Sequence, residues 1–362
     1  MRPLVRTLLV GLALVALAAG VFRLGAALGP EPEAREPPTE TKPPSSVEVV
    51  TRSHHAMGTQ VSFQAYTSEP ERAVGAFEAA MVEIRRLEAL LSNWIGSSDI
   101  SRLNAAAGQH PVEVAPETLE LLHLAVDMHA KTSGKLDVGF GVLADLWRFD
   151  HDQNDRVPSE AEIQARLPLD SVQGLVLDDT ARTAFLPAEH MRLHLGGIGK
   201  GYAVDDAVSV LRARGLENFM IQAGGDLYAA GQRGDRPWRV GIRDPRGGPS
   251  DMFAFAEVED RTFSTSGDYE RFFMKDGVRY HHIIDPQTGR PARKSRSVTI
   301  LATSAALADA LSTAVFILGP EEGMALVEAH DGVGAVIVGA DGSVGVSSDL
   351  KRRVRILRSP RP

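Results

Sequence analysis

The sequence predicts an α+β fold that contains much antiparallel sheet. Short apolar runs typical of strands follow one another through the second half of the chain. Amphipathic helices occur between such runs, but strands and helices do not alternate in the strict β-α-β order of a parallel sheet. The segment Ala340-Asp341-Gly342 joins two further apolar runs in the manner of a β-hairpin turn. Together these observations favour a mainly antiparallel sheet with packed helices.

The individual elements follow from local periodicity. In Glu71–Leu91, apolar residues such as Phe77 and Met81 recur at three- and four-residue steps, which predicts a helix with one buried face. Pro116 opens another helix, since proline suits the first helical turn. The remaining predicted helices are Tyr202–Arg214 and Ala306–Leu318, the second of them stopped by Gly319-Pro320. The predicted strands are Val61–Tyr66, Phe219–Gln222, Trp238–Arg243, Phe253–Val258, Val298–Ala302, Val333–Val338 and Ser343–Val346.

Composition and charge narrow the classes of function. The 362 residues carry a formal net charge of -8, so no global basic field would gather nucleic acid. The chain has no cysteine, which excludes disulfides, thiolate catalysis, cysteine-ligated zinc and iron–sulfur clusters. We therefore expect no nucleic-acid partner and no thiol chemistry.

The N-terminal residues have the pattern of an export signal. Leu8–Phe22 is unbroken in apolar and small residues, with Arg2 and Arg6 before it and Arg23 after it. Residues 1–29 are therefore expected to be a cleaved signal peptide or an uncleaved membrane anchor, with a buried core helix as the alternative. Residues 30–46 are rich in proline and charge, which predicts an extended linker. We expect the body, residues 47–362, to be exported to the periplasmic face of the inner (cell) membrane, with membrane contact through the N-terminal segment.

A glycine-rich turn precedes the helix Tyr202–Arg214. Leu193–Tyr202 has the sequence LHLGGIGKGY, and without Cβ atoms its backbone N–H groups can approach a phosphate beside a helix N-terminus. The pattern is not a Walker A loop, because His194 and Gly201 stand where that motif requires Gly and Ser or Thr. The segment is therefore either a phosphate cradle or a tight strand-to-helix turn.

A carboxylate stands inside the apolar helix that follows. Asp309 and Thr313 are four residues apart, so their oxygens lie on one face of the helix. Burying a carboxylate is costly unless it is paired, hydrogen-bonded or bound to a metal. A hard cation such as Mg²⁺ prefers carboxylate, hydroxyl and carbonyl oxygens. Asp309 is therefore a candidate metal ligand, with a local structural pairing as the alternative.

Two adjacent histidines stand in Tyr280–Pro286, which resembles a strand running into a turn. Strand alternation places His281 and Asp285 on one face and His282 on the other. A histidine that titrates in the neutral range can act as a general base. No third ligand stands at a zinc-like spacing, so we do not expect zinc; two surface histidines are the alternative.

The remaining small-residue segments carry weaker signals. Gln222–Asp226 and Thr265–Tyr269 are predicted to be turns. Trp94 lies in the polar stretch Ser92–Asn104 after the first helix, where its ring can stack on a flat ligand or fill the end of a helix pair.

Together and in this order, these segments resemble the ApbE family of FAD:protein FMN transferases. The resemblance extends from Ala56–Val61 to the helix that ends at Gly319. The matching segments are MGT at Met57–Thr59, SDISRLN ending at Asn104, KLDVGFGVLADLWRF at Lys135–Phe149, LGGIGKGYAVD at Leu195–Asp205, QAGGD, TSGDYERFF, YHHIIDPQTGRPA and ADALSTAVFILG.

The resemblance implies an α+β body related to the T-fold, with FAD held in a cleft and Mg²⁺ beside its pyrophosphate. The implied reaction transfers FMN from FAD to a Ser or Thr hydroxyl of an acceptor protein and releases AMP. The implied Mg²⁺ ligands are Gly197, through its carbonyl, and Asp309, Ser312 and Thr313. Many members have Asp where this chain has His194. The implied FAD contacts are Met57, Trp94, Lys135, Leu136, Asp137, His194, Lys200 and Ile283.

The acceptor hydroxyl must lose its proton, so a base within hydrogen-bond reach is required. We take His282 as this base, titrating in the neutral range, with His281 or a carboxylate such as Asp285 as alternatives. Two other functions use the same features: an FAD pyrophosphatase that gives FMN and AMP, and a non-catalytic FAD-binding assembly factor. The acceptor is expected to be a flavoprotein, either a subunit of a membrane redox complex or a separate protein.

Overall fold

The computed structural model describes residues 47–150, 152–169 and 171–362. The predicted signal or anchor at 1–29 and the predicted linker at 30–46 lie outside these residues. The described residues all belong to one structural unit. Within them, no helix combines the length and apolar character that a membrane crossing requires.

Strands and helices alternate irregularly along the described chain, as the sequence predicts for an α+β fold. The helices are α1 (Pro70–Leu91), α2 (Asp99–Ala105), α3 (Pro116–Lys131), α4 (Gly141–Trp147), α5 (Glu160–Arg166), α6 (Gly199–Ala213), α7 (Ala305–Leu318) and α8 (Pro320–Glu328). The strands are β1 (Glu48–Ala56), β2 (Thr59–Thr67), β3 (Val112–Glu113), β4 (Val176–Asp178), β5 (Thr183–Phe185), β6 (Phe219–Ala223), β7 (Asp226–Ala230), β8 (Trp238–Arg243), β9 (Met252–Val258), β10 (Arg261–Gly267), β11 (Phe272–Lys275), β12 (Val278–His281), β13 (Ile284–Asp285), β14 (Arg290–Pro291), β15 (Ser295–Ala302), β16 (Gly334–Gly339), β17 (Val344–Val346) and β18 (Val354–Ile356).

An eight-stranded sheet organises the body. Its strand order is β1-β2-β6-β7-β10-β15-β16-β17. Every neighbouring pair in it is antiparallel. The predicted antiparallel character is therefore confirmed, and the predicted hairpin at Val333–Val346 is the pair β16–β17 at one edge of the sheet.

Both faces of the sheet are covered. In β16, Ala335 and Ile337 pack into the core that contains α7, whereas Val336 and Val338 pack against the three-stranded sheet β18-β9-β8. Successive side chains of a strand point to opposite faces, so one strand contributes to two cores. This explains why β16 is buried along its whole length and shows no polar alternation.

Helix α1 covers the other end of the sheet with the face that its periodicity predicts. Phe77, Met81 and Ile84 are buried, and the ring of Phe77 stacks on Phe63 of β2 at a centroid distance of 5.2 Å. Burying a side chain of this size is worth about 1.5–3 kcal/mol. The apolar stripe of α1 is therefore what holds this helix against the sheet.

Helices α6 and α7 meet at a capped and closely packed junction. The Asp205 carboxylate accepts hydrogen bonds from the Ser304 hydroxyl and from the backbone N–H groups of Ala305 and Ala306. A Cβ on Gly201 would lie only 2.2 Å from the Ala305 carbonyl oxygen. The glycine lets α6 approach the first turn of α7, which brings the glycine-rich turn beside the face that carries Asp309.

Two segments differ from the local prediction. Thr265–Gly267, predicted as part of a turn, forms the end of β10, because β15 supplies a ladder partner as far as Gly267. The predicted strand at Tyr280–Pro286 is interrupted, since β12 ends at His281 and β13 begins at Ile284. His282 therefore lies in a break between two short strands, which a pattern of alternating residues does not reveal.

The glycine pair Gly201 and Gly75 tests the α6–α7 junction. We expect Gly201→Ala to lower the free energy of unfolding by about 1–3 kcal/mol, since the added methyl meets fixed backbone atoms. Gly75 lies mid-helix in α1 with open space around its Cβ position, so Gly75→Ala should raise stability by about 0.5–1 kcal/mol. Urea unfolding of both variants measures the difference, and equal effects would contradict the proposed close approach.

Candidate active site

A cleft of about 670 Å³ opens among the glycine-rich turn, α7, the β1–β2 turn and the segments that flank β11 and β12. This volume lies within the range of about 300–1,000 Å³ that is usual for small-molecule sites. The predicted base lines the cleft, together with all the predicted FAD contacts and most of the predicted metal ligands. These residues are Met57, Trp94, Lys135, Leu136, Asp137, His194, Gly197, Lys200, His282, Ile283, Asp309 and Thr313.

The predicted metal ligand Ser312 hydrogen-bonds within the fold, and its role as a ligand stays a prediction. Its side chain is buried, and its hydroxyl donates to the Asp309 carbonyl at 2.9 Å and hydrogen-bonds with the Ser266 hydroxyl at 2.7 Å. Ser312 does not line the cleft. Adjacent residues of a helix point in different directions, so Thr313 faces the cleft and Ser312 supports Ser266 instead.

Two buried carboxylates share one lysine at the base of the cleft. Lys200 Nζ lies 3.3 Å from Asp226 Oδ2 and 3.4 Å from Asp309 Oδ2. Burial disfavours the charged lysine, but the two carboxylates outweigh it and raise the pKa of Lys200 above its usual value. Burial and the charge of Asp226 raise the pKa of Asp309 to about 7, although Lys200 and the backbone N–H of Gly201 oppose this shift. The single ammonium of Lys200 therefore does not neutralise both carboxylates.

The oxygens at this point fit a hard cation. Asp226 Oδ2 is buried and receives no aligned hydrogen bond, while Asp226 Oδ1 accepts one from the Ser264 hydroxyl. The Thr313 hydroxyl oxygen lies 3.2 Å from the place where a Cβ of Gly197 would stand, so these two residues adjoin. No cluster of three His, Cys, Asp or Glu side chains suited to a metal occurs in the described part of the chain. Carboxylate, hydroxyl and carbonyl oxygens together match the preference of Mg²⁺.

The adjacent histidines have different environments, as strand alternation predicts. His281 is buried, its Nε2 donates to the Ala292 carbonyl at 2.8 Å, and its Nδ1 accepts from the Ile283 N–H. His282 lines the cleft, and its buried Nδ1 has no hydrogen-bond partner among the described residues. His281 is thus engaged in the fold, and His282 presents an uncommitted ring nitrogen beside the cleft.

The expectation that His282 titrates in the neutral range is wrong for the protein without bound substrate. Burial, with smaller effects from His281 and Arg271, lowers the pKa of His282 to about 3. The imidazole is therefore neutral, and able to accept a proton, throughout the neutral range. The sequence places His282 next to another histidine but does not show how deeply its ring is buried.

The Lys135–Asp137 segment is tied to the surrounding fold. Lys135 Nζ donates to Asp285 Oδ1 at 3.0 Å, so the carboxylate kept as an alternative base is already paired, and Asp285 does not line the cleft. Asp137 Oδ1 accepts from the N–H groups of Gly139 and Val172. The Asp137 carboxylate thus anchors the cleft wall through backbone hydrogen bonds.

Two other predicted contacts lie near the mouth of the cleft. Trp94 is 54% exposed and lines the cleft. Met57 and Gly58 both have positive φ in the two-residue turn between β1 and β2, and the Met57 N–H donates to Glu88 Oε1 at 2.6 Å. The helix α1 therefore holds this turn in place through Glu88.

Comparison with known proteins gives the family. A sequence model of the ApbE family matches residues 57–337, which is most of the chain. The chain belongs to the ApbE family. A Vibrio cholerae protein named FAD:protein FMN transferase is 34% identical over 290 residues, which cover 78% of this ApbE chain and 85% of that protein. A Treponema pallidum protein of the same name is 35% identical over 322 residues, covering 85% and 89%.

Solved structures agree with the fold of this ApbE chain. The ApbE protein of Thermotoga maritima superimposes with a TM-score of 0.77 at 34% identity, covering 84% of this chain and 98% of that one. The flavin transferase ApbE of Vibrio cholerae superimposes with a TM-score of 0.76 at 31% identity, covering 85% and 100%. The predicted ApbE-type α+β body is therefore confirmed.

The residue that departs from the common ApbE pattern, His194, has a defined place at the cleft. Its Nδ1 accepts from the Gly196 N–H at 3.1 Å, and its Nε2 lies 3.8 Å from Asp150 Oδ2. Its ring also meets Phe140 edge to face. His194 thus orders the glycine-rich turn and adjoins a carboxylate that comes from a different segment.

Asp150, Asp226 and Arg271 line the cleft of this ApbE chain but were not among the residues predicted from sequence. Asp226 ends the predicted QAGGD turn, so its segment was noted without its charge being assigned a role. Asp150 directly follows a segment that resembles the family, and Arg271 lies within another such segment. Nothing in the sequence connects them, because their ion pair spans positions far apart in the chain.

The buried His281 predicts a pH dependence of stability. Burial lowers its pKa from 6.5 to about 4, so between these values the unfolded state binds a proton that the folded state does not. Stability should therefore fall as the pH decreases below 6.5, by up to about 1.4 kcal/mol per pH unit from this group. Urea unfolding between pH 7 and pH 5 should show a shallower decline in His281→Gln than in the wild type. Parallel declines would contradict the assignment.

Proposed function

We propose that this ApbE chain is a Mg²⁺-dependent FAD:protein FMN transferase. The observation that carries the proposal is the pair of buried carboxylates, Asp226 and Asp309, held by one lysine against a glycine-rich turn in a ligand-sized cleft. Relatives that carry this transferase name support it, since the chain matches most of their length. The transfer joins FMN through its phosphate to a Ser or Thr hydroxyl of the acceptor and releases AMP.

The chain's own groups provide for a pyrophosphate at the turn. At the start of α6 the N–H groups of Gly199 and Gly201 already donate to the Leu195 carbonyl and to Asp309 Oδ2, so the positive helix N-terminus is what favours an anion there. Asp309, Thr313 and the Gly197 carbonyl would hold the magnesium ion, with Asp226 adding negative charge nearby. When bound, Mg²⁺ supplies neutralisation of the charge on the pyrophosphate oxygens. Trp94, an exposed aromatic side chain that lines the cleft, is the residue that would contact the flavin ring.

The proton step falls to His282. The acceptor oxygen forms a bond to the FMN phosphorus while the bond from that phosphorus to the bridging oxygen breaks, and AMP leaves with this oxygen. His282 Nδ1 is neutral and has no partner within the described residues, so it can take the hydroxyl proton. Transfer of this proton to His282 compensates for the negative charge that the departing AMP gains on the former bridging oxygen.

The acceptor and the location of the enzyme are further parts of the proposal. Export rests on the signal or anchor pattern of residues 1–29, and reach from the membrane rests on the linker pattern of residues 30–46. An acceptor flavoprotein outside the cytoplasm, such as a subunit of a membrane redox complex, fits that location. A reporter fused after residue 46 that is active only inside the cytoplasm would contradict it.

One incubation separates the three candidate functions. The protein is mixed with FAD, Mg²⁺ and the acceptor protein of the Vibrio cholerae relative, and AMP, free FMN and the intact mass of the acceptor are measured. A transferase gives AMP together with an acceptor that has gained FMN less one water. A pyrophosphatase gives AMP and free FMN, and an assembly factor binds FAD without releasing AMP.

Removing one carboxylate tests the metal site. We expect Asp309→Asn to abolish Mg²⁺-dependent AMP release but to leave the protein folded, because a buried charge is lost. Mg²⁺ should raise the melting temperature of the wild type, since a ligand of the folded state stabilises it, and should not do so for the variant. Ser312→Ala is the control, and it should retain the Mg²⁺-induced shift. A shift retained in Asp309→Asn would place the ion elsewhere.

Substitution of His282 tests the base. We expect His282→Ala to lower kcat by about 10²–10⁴-fold with little change in FAD affinity, as is typical for loss of a general base. Because the pKa of His282 is about 3, kcat/KM of the wild type should show no limb from this residue near pH 6.5. His281→Gln, assayed at pH 7.5 where it remains folded, should keep most of its turnover. A larger loss of turnover in His281→Gln would exchange the two roles.

A further inference from the structure

The ion pair between Asp150 and Arg271 joins two walls of the cleft. Asp150 follows α4, and Arg271 directly precedes β11. Both side chains line the cleft, and the Arg271 guanidinium also lies 3.8 Å from the place where a Cβ of Gly58 would stand in the β1–β2 turn. His194 from the glycine-rich turn approaches the same carboxylate. We call Asp150, Arg271 and His194 the carboxylate clasp.

A stack of aromatic rings holds the two halves of the clasp in register. Phe149, the neighbour of Asp150, stacks on Phe273 of β11 at a centroid distance of 5.5 Å. Trp147 stacks on Phe149 at 6.0 Å and on Tyr280 of β12 at 5.8 Å. These rings form a buried core between α4 and the β11–β12 hairpin. The packing of α4 against the β11–β12 hairpin therefore determines that Asp150 lies opposite Arg271.

The clasp is connected to the proposed base through the main chain. The His282 N–H donates to the Arg271 carbonyl oxygen at 3.1 Å, directly after the β11–β12 ladder ends at the Phe272–His281 pair. Any movement of the Arg271 backbone therefore moves His282. The Arg271 side chain is 42% exposed, and its ion pair with Asp150 connects it to the segment that follows α4.

We propose that Asp150 is a positioning residue for the transfer reaction: through its ion pair with Arg271, it holds His282 in place over the cleft. This inference rests on the proposed function, because it assigns His282 the role of base. Burial alone would raise the pKa of Asp150, but His194 and Arg271 outweigh it and hold that pKa below its usual value. The Asp150 carboxylate is therefore charged at neutral pH, and its ion pair with Arg271 is already formed in the protein without bound substrate.

Asp150→Asn tests the clasp, with Asp150→Glu as the conservative variant. We expect Asp150→Asn to lower kcat by about tenfold to a hundredfold, since a small misplacement of a catalytic group has effects of this size. The KM for FAD should change less than kcat, because Asp226 and Asp309 are untouched and the hydrogen bond from the Gly196 N–H to His194 Nδ1 remains. Asp150→Glu should recover most of the lost kcat. The Asp150→Asn/Arg271→Gln double variant should be no worse than the worse single variant, as expected for two residues that act through one contact.

Glu160→Gln is the matched control, because it breaks another arginine–carboxylate pair, with Arg290, outside the cleft. Its kcat should equal that of the wild type. Turnover is measured as AMP release with FAD, Mg²⁺ and the Vibrio cholerae acceptor protein. Wild-type kcat in Asp150→Asn would overturn the proposal, as would a loss that Asp150→Glu fails to recover.

A second readout does not depend on turnover. In the free protein, the His282 ring resonances in NMR spectra should shift in Asp150→Asn and remain unchanged in Glu160→Gln. Unchanged His282 resonances in Asp150→Asn would overturn the positioning role even if transfer were observed. A shift together with a wild-type protein that releases no AMP would instead refute the proposed function and leave the clasp supported.

Discussion

The site depends on an imbalance of charge in a buried place. Asp226 and Asp309 approach a single ammonium group, Lys200, and the Gly201 N–H is the only backbone donor that the described contacts place on Asp309. Burying an uncompensated charge costs several kcal/mol, so an apolar replacement would be more stable. The apolar packing of α7 and the capped junction of α6 and α7 stabilise the fold and offset this cost. This imbalance supports the proposed binding of a divalent cation.

The rest of the cleft is arranged around that junction. Gly201 permits the close approach of α6 to α7, and Asp205 secures it by capping the first turn of α7. The glycine-rich turn consequently lies beside Thr313 and Asp309. The positive N-terminus of α6 therefore adjoins the oxygens of these two side chains. The β11–β12 hairpin then places His282 on the far side of the same space. In the proposed mechanism, different elements therefore bind the anion and accept the proton.

Much of this could be predicted from the sequence. Helix α1, the β16–β17 hairpin and the apolar helix with its inward Asp309 follow from local periodicity, because these elements satisfy their own backbone groups or bury one clear face. The order of motifs gave the family and most of the cleft residues. The prediction was wrong for the titration of His282, and the sequence did not show that the Ser312 hydroxyl contacts Ser266, since the depth of an imidazole and the direction of a hydroxyl depend on neighbours distant in the chain.

The sequence by itself determined most of the helices and strands, and it indicated the segments that we propose supply metal ligands, a phosphate-binding turn and a base. Only the tertiary structure decided how these groups combine. It paired Asp226 with Lys200, set Asp150 against Arg271, and buried His281 while leaving His282 at the cleft. The physical reason is that local propensity acts over a few residues, whereas charge pairing and desolvation depend on distances in space that the antiparallel sheet and the aromatic stack establish.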